Sequence, residues 1–583
     1  MTQKPLYEQQ YQNWLDSTII DEASKAELRS ISGNKAEVED RFYQDLEFGT
    51  AGLRGKIGAG TNRMNEYIIA RATDAFAKVI KSFGDEFAAK GVAIAYDCRL
   101  FSKEFSLTAA LVLASHGIKS YVFDALRPTP ELSFAIRRLG AAGGINVTAS
   151  HNPKNYNGYK VYWQEGSQIK DDIANLILAE INNIKSFEEV KYLAEKEKYT
   201  EQYALENGLL EYIGSEIDDE FLANAKAQSL NDESLDKDIK IVYTPLNGAG
   251  NILVRRILSE RGFKNVYVVK EQELPDGTFP TIEYPNPEDT RAFEYSIKLG
   301  KEKDADLLIA TDPDCDRVAI MVKHDGKYEE INGNQAGVIL IHYILSQMNE
   351  KNLIKPDSII VKSIVTAEMG TLIAKKYGVE MVDVLTGFKN IFAVQNELDR
   401  TKAKTMIMGY EESIGYAVGT FVRDKDAVTS SMMFAEAAAF YRAQGKTLID
   451  VLNELYKEFG YHREDTVSIV MEGITGQQQI AKMMEQYRTA YPRQIADMKL
   501  ARYIDYRTQE ELDIATGTVS KVDIEKQNAI KFQFECGSWY ALRPSGTEPK
   551  IKIYACTRAE TNEKSVHKLA VLKETVLAEL KKI

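Results

Sequence analysis

The chain has 583 residues, which at roughly 150 residues per domain predicts three or four domains. Hydrophobic residues make up 44% and charged residues 27%, a globular composition that excludes collagen-like and disordered classes. With 86 acidic and 73 basic side chains the formal net charge is −13, which argues against nucleic acid or an anionic membrane as a partner, because both attract positive charge.

The four cysteines form no CxxC pair and are too few for a disulfide framework. The polar N-terminus, MTQKPLYEQQ, lacks the apolar core of a signal peptide. The best apolar run, residues 107–114, is far shorter than the about 20 residues that span a bilayer. We therefore expect a cytoplasmic chain with no membrane partner, present as a monomer or weak homodimer.

Apolar strand-like runs alternate with amphipathic helical stretches, which predicts mostly parallel α/β sheets. The first such unit has strands at 92–96, 120–123 and 144–147, with helices at 103–117 and 131–139. The second has strands at 239–243, 266–269 and 307–310 with a helix at 252–261, and the third has strands at 358–362, 381–384 and 405–408 with a helix at 367–377.

Two segments differ from this pattern. Residues 171–238 are helical and rich in charge, which indicates an inter-domain helix and linker. From about residue 460 the strands at 466–471 and 529–534 alternate as half-buried strands do, which predicts a separate α+β domain. We predict four domains: 1–208, 209–328, 329–455 and 456–583.

The acidic loop after the third strand of the second unit reads Asp312-Pro-Asp314-Cys-Asp316-Arg317. If its backbone is extended, alternate side chains share one face and the three carboxylates converge. Such a cluster needs a cation, and hard oxygen ligands suit Mg²⁺ or Ca²⁺. The spacing is not that of an EF-hand. The alternative is a solvated acidic turn.

A serine loop, Thr148-Ala-Ser150-His151-Asn-Pro, follows the third strand of the first unit. A turn-forming Asn-Pro after the serine holds its hydroxyl in a fixed direction. His151 and the nearby Lys160 are candidates to move a proton or hold an anion. By composition alone, a plain turn is the commoner interpretation of this segment.

Two further loops contain polar side chains. Gly409-Tyr-Glu411-Glu412-Ser413 is rich in acceptors that suit sugar hydroxyls, although an exposed turn explains it as well. Arg543-Pro-Ser545-Gly546-Thr547-Glu-Pro-Lys550 combines a guanidinium fork, hydroxyls and a glycine, as a phosphate clamp does, with a hairpin turn as the alternative. Candidate substrate contacts beside these loops are Gly387, Lys389, Arg423 and Lys425.

In their order along the chain, TASHNPKNYNGYK, DPDCDR, GYEES and RPSGTEPK resemble the α-D-phosphohexomutase superfamily. The length, GTAGLRG and TPLNGAG are most similar to its phosphoglucomutase and phosphopentomutase branch. The resemblance covers nearly the whole chain. It implies three similar mixed α/β-sheet domains and a C-terminal α+β domain like the TATA-binding-protein fold, around a central cleft.

The resemblance also implies roles for individual residues. Ser150 would be a phosphoserine that transfers its phosphoryl group, and it would complete an Mg²⁺ site with Asp312, Asp314 and Asp316. Arg54, Lys160 and Arg317 would place positive charge beside it, with Lys160 the preferred general acid or base. Glu411 and Ser413 would contact the sugar, and Arg543, Ser545, Gly546 and Thr547 would hold the phosphate that does not react.

The implied reaction interconverts glucose 1-phosphate and glucose 6-phosphate through glucose 1,6-bisphosphate, so the expected partners are small sugar phosphates. Phosphomannomutase or phosphopentomutase activity on the same scaffold, sugar bisphosphate synthesis, and non-enzymatic binding of a sugar phosphate remain alternatives. Because many cations lie in or beside the four loops, we expect the site to be locally positive within an acidic chain.

Overall fold

The computed structural model describes residues 5–49, 52–232, 235–471, 473–545 and 550–582. The described residues form two compact units. The first contains those up to 331 together with 392–400 and 415–440, and the second contains 332–391, 401–414 and those from 441 onward. No helix in the described ranges combines the length and apolar character that a membrane span requires.

The first α/β domain is built on a six-stranded sheet in the order β1-β5-β4-β2-β3-β6. Its elements are α1 (Leu6–Asp16), α2 (Glu22–Ser30), α3 (Lys35–Phe42), β1 (Gly52–Lys56), α4 (Glu66–Ser82), α5 (Asp85–Ala88), β2 (Val92–Tyr96), α6 (Ser102–Ser115), β3 (Ser120–Phe123), α7 (Thr129–Leu139), β4 (Gly143–Val147), β5 (Tyr156–Trp163), α8 (Asp171–Asn183), α9 (Lys191–Ala194), α10 (Glu201–Glu206), β6 (Leu210–Ile213) and α11 (Ser215–Lys226). Strand β2 is buried at every residue, as expected of a central parallel strand covered on both faces.

The second α/β domain has a five-stranded sheet in the order β11-β10-β9-β7-β8. Its elements are β7 (Lys240–Thr244), α12 (Gly250–Glu260), β8 (Asn265–Val268), α13 (Glu294–Lys303), β9 (Leu307–Thr311), β10 (Val318–His324) and β11 (Lys327–Ile331). Strand β7 pairs in parallel with β8 and β9, and β10 returns antiparallel to β9.

The first two domains share one topology. In each, the first parallel strand lies between the second and the third, and an antiparallel strand returns beside the third. The chain therefore leaves the first and third strands toward opposite sides, which opens a crevice at their carboxyl ends where ligands bind in such sheets. The serine loop and the acidic loop both follow the third strand of their domain.

The third α/β stretch contains α14 (Gly333–Glu350), β12 (Ser358–Ser363), α15 (Met369–Lys376), β13 (Glu380–Val384), α16 (Phe388–Thr401), β14 (Thr405–Glu411), β15 (Gly415–Val418), α17 (Ala427–Arg442) and α18 (Leu448–Phe459). Strand β12 pairs in parallel with both β13 and β14. The loop with Glu411 and Ser413 begins where β14 ends, again after the third strand.

The C-terminal domain has an antiparallel sheet in the order β16-β23-β22-β21-β18-β19-β20, with β17 paired to β18. Its elements are β16 (Tyr461–Val470), α19 (Gly473–Thr489), β17 (Gln494–Ile495), β18 (Met498–Asp505), β19 (Glu510–Asp513), β20 (Val519–Lys521), β21 (Ile530–Phe534), β22 (Trp539–Pro544), β23 (Lys550–Ala559) and α20 (Asn562–Lys581). Helices α19 and α20 pack on β23. The predicted class, three α/β domains and a C-terminal α+β domain, is confirmed.

The segment 171–238 is not the linker that its charge indicated. Helices α8 and α9 pack on α4, and β6 pairs in parallel with β3 as the edge strand of the first sheet. The boundary predicted at residue 208 therefore lies before the last strand of that sheet. The prediction of a linker was wrong because short amphipathic helices that cover a domain expose charged faces, and their composition then resembles that of a linker.

A buried histidine makes the stability of the second unit sensitive to acid. His462 is 1% exposed, its Nδ1 lies 3.0 Å from the carbonyl oxygen of Gly460, and its Nε2 has no hydrogen-bond partner among the described residues. Burial lowers the pKa of His462 to about 4. The native imidazole therefore stays neutral at a pH where the unfolded chain, with a pKa of about 6.5, binds a proton.

We predict that the free energy of unfolding falls by roughly 2–3 kcal/mol as the pH drops from about 6.5 to 4, through this residue alone. Replacing His462→Asn should remove that part of the pH dependence in urea titrations at a series of pH values. His567→Asn, on the exposed surface of the same unit, is the matched control and should leave it unchanged. Equal slopes for the wild type and His462→Asn would contradict the prediction.

Candidate active site

The candidate nucleophile, Ser150, is held in a strained and buried position just after β4. It is 3% exposed and its backbone is left-handed, with φ of +51°. Its N–H donates to Thr148 Oγ1 at 2.8 Å, and its hydroxyl donates to Asp312 Oδ2 at 2.7 Å. His151 Nδ1 lies 3.2 Å from the same hydroxyl oxygen. A non-glycine residue keeps such a backbone only where its surroundings determine it, as at functional sites.

Arg99 shapes the serine loop and is a residue that the sequence reasoning missed. Its guanidinium donates to the carbonyl oxygens of Ser150 at 2.5 Å, Pro153 at 2.8 Å and Tyr156 at 3.1 Å, and also to that of Asn152. The side chain is buried, at 3% exposed. One planar fork therefore gathers four carbonyl groups of the loop and holds the serine backbone in place.

Asp97 connects the loop to the first strand of the sheet. Its carboxylate accepts hydrogen bonds from Thr148 Oγ1 at 2.6 Å and from Ser102 Oγ and Arg99 N–H at 2.8 and 2.9 Å. Asp97 and Arg99 directly follow the buried strand VAIAY. The serine and acidic loops were predicted because each follows the carboxyl end of a strand. Asp97 and Arg99 follow the carboxyl end of the strand beside β4, so the same criterion points to them.

The acidic loop is a tight turn and not an extended segment. Asp312 Oδ1 accepts the N–H groups of Asp316 at 3.1 Å and Arg317 at 3.0 Å, and Cys315 has a left-handed φ of +52°. The predicted convergence is nevertheless found, since one oxygen from each of the three carboxylates lies within 4.8 Å of the others. The carboxylates come together because the backbone N–H groups of residues 316 and 317 bond to the Asp312 side chain, which closes the loop as a turn.

Two lysines and a threonine surround the three carboxylates. Lys160 Nζ, from β5, lies 2.7 Å from Asp314 Oδ2, and Lys425 Nζ lies 3.1 Å from Asp316 Oδ2. Thr129, the first residue of α7, donates its N–H to the Asp314 carbonyl at 2.8 Å and its hydroxyl to Asp314 Oδ2 at 3.0 Å. Lys425 was predicted as a sugar contact, and its ammonium lies between Asp316 of this cluster and Asp424, whose Oδ1 is 3.2 Å away.

Within this cluster the pKa of Asp312 is raised and that of Asp314 is lowered. Burial raises the pKa of Asp312 well above its ordinary value, and the charges of Asp314 and Asp316 raise it further. Burial also acts to raise the pKa of Asp314, but the charge and hydrogen bond of Lys160 outweigh it and leave that pKa lowered. The same carboxylates overcome the effect of burial on Lys160, whose pKa is raised, so its amine is protonated.

The cluster fits a divalent cation with hard oxygen ligands. Asp314 Oδ1 and Asp316 Oδ1 are buried and accept no hydrogen bond within the described residues. Buried carboxylate oxygens without donors are costly unless a cation binds them. The all-carboxylate donor set suits a hard cation such as Mg²⁺, and the Ser150 hydroxyl lies beside this set through its hydrogen bond to Asp312.

Two arginines add positive charge near the serine. Arg54, on β1, donates to Asn152 Oδ1 at 3.1 Å, and Arg317 lies 3.8 Å from Asp316 Oδ1. Burial lowers the pKa of His151 well below its ordinary value, and the charges of Arg317 and Arg54 lower it further. The imidazole is therefore neutral and able to accept a proton.

Arg423 is engaged with its own surroundings. It is 1% exposed, and its guanidinium lies 2.6 Å from Asp399 Oδ2 and 3.2 Å from Asn396 Oδ1. It also donates to the carbonyl of Val422 at 3.2 Å. Burial lowers its pKa to about 10. These contacts give Arg423 a role in ordering the segment before Lys425.

In the second unit, the predicted sugar-contact loop is held by a hydrogen bond to a neighbouring loop. Glu411 is buried and its Oε1 accepts the N–H of Gly387 at 2.6 Å. Gly387 has a left-handed φ of +109°, which its lack of a side chain allows. Lys389 and Ser413 lie half-buried beside them in sequence. The structure thus joins the TGFK and GYEES segments, which lie after different strands.

The predicted phosphate loop joins β22 to β23. Arg543 donates to the hydroxyl of Tyr554 at 3.4 Å, and Ser545 N–H donates to the Lys550 carbonyl at 2.8 Å. Burial raises the pKa of Tyr554 to about 12, with Glu412 raising it and Arg543 lowering it. These charges therefore lie within electrostatic reach of one another. Gly546 and Thr547 lie outside the described residues.

Four family models match the chain in sequence, and together they account for most of it. They are described as phosphoglucomutase/phosphomannomutase alpha/beta/alpha domains I, II and III, at residues 45–188, 219–326 and 332–459, and the C-terminal domain, at 494–570.

Curated relatives and solved structures agree with these matches. A phosphoglucomutase of Staphylococcus haemolyticus is 36% identical over 531 residues, which cover 90% of this chain and 92% of that protein. A phosphoglucomutase structure from Paramecium, pp63/parafusin, has a TM-score of 0.67 at 17% identity and covers 92% of this chain and 95% of its own. A putative phosphomannomutase from Thermus thermophilus has a TM-score of 0.65 at 20% identity, covering 91% and 99%.

We predict that the chain binds one Mg²⁺ or Mn²⁺ at the acidic cluster and that Asp314→Asn lowers the affinity at least about tenfold, because it removes a charged ligand. Isothermal titration with Mg²⁺ and electron paramagnetic resonance with Mn²⁺ measure this directly. Asp325→Asn is the control, since its carboxylate is 92% exposed in the same domain. Equal affinities for the two variants would place the cation elsewhere.

Proposed function

Because the chain belongs to the phosphoglucomutase/phosphomannomutase family, we propose that it interconverts glucose 1-phosphate and glucose 6-phosphate through a phosphorylated Ser150 and glucose 1,6-bisphosphate. The observation that most supports this is the hydrogen bond from the Ser150 hydroxyl to Asp312. A nucleophile joined to a cation-binding cluster is what phosphoryl transfer requires, and a protein that only binds sugar phosphates has no need of it.

The reaction proceeds in two transfers that balance. In the first, the sugar O6 hydroxyl attacks the phosphorus of phospho-Ser150, the bond from phosphorus to Ser150 Oγ breaks, and glucose 1,6-bisphosphate forms. The bisphosphate then turns over, so that its other phosphoryl group faces Ser150. In the second transfer Ser150 Oγ attacks that phosphorus, the bond to the sugar O1 breaks, and glucose 6-phosphate leaves.

The residues around Ser150 divide the work of each transfer. Neutral His151, 3.2 Å from the serine oxygen, accepts the proton that the attacking hydroxyl loses and returns it to the oxygen that leaves, so that Ser150 and the sugar exchange one proton in each transfer. Protonated Lys160 stabilises negative charge on the phosphoryl oxygens, together with Arg54 and Arg317. Mg²⁺ bound by Asp312, Asp314 and Asp316 would neutralise charge on the group in transfer.

Residues of the second unit suit the part of the substrate that does not react. Glu411, with its Oε1 bound to Gly387 N–H, presents an acceptor for sugar hydroxyls, and Ser413 adds a hydroxyl. Arg543, Ser545 and Lys550 flank the loop proposed to hold the distal phosphate, completed by Gly546 and Thr547. A clamp of this kind must accept either phosphate of the bisphosphate.

The alternative sugars use the same machinery. The S. haemolyticus protein, which this chain matches over 92% of its length, is named phosphoglucomutase. That name favours glucose over mannose or a pentose as the sugar. Comparing kcat/KM for the 1-phosphates of glucose, mannose and ribose decides among the mutases. Release of a sugar bisphosphate as the product would instead identify a synthase.

We predict that part of the purified protein is about 80 Da heavier than the sequence mass, by one phosphoryl group, and that the added mass maps to Ser150. Ser150→Ala should lose both the added mass and glucose 1-phosphate turnover. Ser167→Ala, a buried serine of the same domain that lies outside the loop, is the matched control. Undiminished turnover in Ser150→Ala would refute the mechanism.

We predict that Arg99→Lys lowers kcat about 10²-fold with little change in KM, because one ammonium cannot hold four carbonyl groups and the serine shifts. The distal contacts of the substrate, which set much of KM, are untouched. Arg138→Lys, at a half-exposed ion pair with Glu220, is the control. A change in KM with kcat preserved would show that Arg99 does not act by positioning Ser150.

A further inference from the structure

A cavity of about 760 Å³ lies in the second unit, beside the point where α18 gives way to β16. Four of the residues that line it are basic: Arg558 from β23, and Lys564, His567 and Lys568 from α20. Cys536 and the backbone of Gly460 also line it. A concentration of four basic residues is unexpected in a chain whose net charge is −13.

The acidic residues of the lining neutralise only part of this charge. Lys564 Nζ lies 2.7 Å from Glu560, and Lys568 Nζ lies 3.3 Å from Asp497. Among the described residues, neither the Nη groups of Arg558 nor the ring of His567 has a hydrogen-bond or ion-pair partner. Within the described residues, the two Nη groups of Arg558 and the ring of His567 are therefore available to an anion.

The Arg558 side chain is held in place by its own surroundings. Its Nε donates to the carbonyl of Phe459 at 3.0 Å. A Cβ at Gly460 would lie 3.0 Å from that Nε and would push the guanidinium aside, whereas one at Gly537 would make an ordinary contact of 3.4 Å with Cδ. Both also have a left-handed φ, at +92° and +83°. The fork is thus fixed by Nε, which leaves its Nη groups to bind a ligand.

The cavity is distinct from the phosphate loop of the proposed substrate site. Arg543 pairs across the sheet with Lys552 on β23, whereas Arg558 lies six residues further along that strand. At about 3.3 Å per residue the two arginines are separated by about 20 Å. A single sugar phosphate does not span that distance.

We propose that this cavity binds a small phosphate monoester, as a second anion site separate from the active site. A phosphate offers three oxygens, which match the guanidinium fork, the imidazole and the two ammonium groups better than a carboxylate does. Since Arg558 is bonded to Phe459, an occupied site also steadies the segment that leads from α18 into β16.

Cys536 provides a local probe of the site. It lines the cavity and is partly exposed, whereas Cys315 and Cys556 are buried. Alkylation of Cys536 by neutral iodoacetamide, followed by peptide mass spectrometry, should slow by the factor 1 + [L]/Kd, which is about tenfold at ten times Kd. The probe ligands are inorganic phosphate and glucose 6-phosphate, at ionic strength matched with chloride.

Variants separate this site from the substrate site. Arg558→Gln and His567→Asn should each weaken protection of Cys536, whereas Arg543→Ala should leave it unchanged. Arg502→Gln, a 55% exposed arginine of the same sheet, is the matched control for removal of a charge. Protection that survives Arg558→Gln, or no protection beyond that of chloride, overturns the proposal. Equal protection by acetate overturns the assignment to phosphate.

Hydrogen exchange gives a second measurement if Arg558→Gln fails to fold. Amides in the peptide from 456 to 463 should exchange more slowly when phosphate is added to Arg543→Ala, because the ligand fixes Arg558 against the Phe459 carbonyl. His567→Asn should reduce the effect. Unchanged exchange in this peptide at saturating phosphate contradicts the proposed coupling to the α18–β16 junction.

Discussion

Three buried carboxylates in one turn determine which charged groups the rest of the first unit must place around them. Asp312, Asp314 and Asp316 are each at most 1% exposed, and their mutual repulsion at such burial is tolerable only with compensation. Lys160 and Lys425 supply two positive charges from different parts of the chain. The negative charge that the two lysines leave uncompensated favours binding of a divalent cation. The serine hydroxyl lies beside the cluster because it donates a hydrogen bond to Asp312.

The repeated topology explains why the chemistry gathers where it does. In each α/β stretch a reactive loop follows the third strand, and in the first two domains that strand lies beside the first. The crevice between these strands admits side chains from both loops, as Asp97 and Arg99 demonstrate beside Thr148 and Ser150. One fold thus provides three comparable positions, and different side chains there make a candidate nucleophile, a candidate cation site and a candidate sugar contact.

Sequence reasoning reached the strands and the loops but not their internal bonding. Buried strands such as VAIAY were predictable because an uninterrupted apolar run is typical of a parallel sheet, and the acidic spacing predicted a cation site. The strand-end position points to Arg99, but its four carbonyl partners depend on turns that no residue pattern specifies, and Thr129 reaches Asp314 from a distant part of the chain. The extended backbone expected for the acidic loop was wrong for the same reason, since a left-handed Cys315 closes it as a turn.

The division of the chain into two interleaved units bears on how the protein is made. Lys425, which balances Asp316, belongs to the first unit although its segment, 415–440, follows much of the second. During synthesis from the N-terminus, the acidic turn leaves the ribosome long before this lysine does. The acidic turn therefore gains the charge of Lys425 only after residue 425 has been made, which couples the completion of this cluster to a late part of the chain.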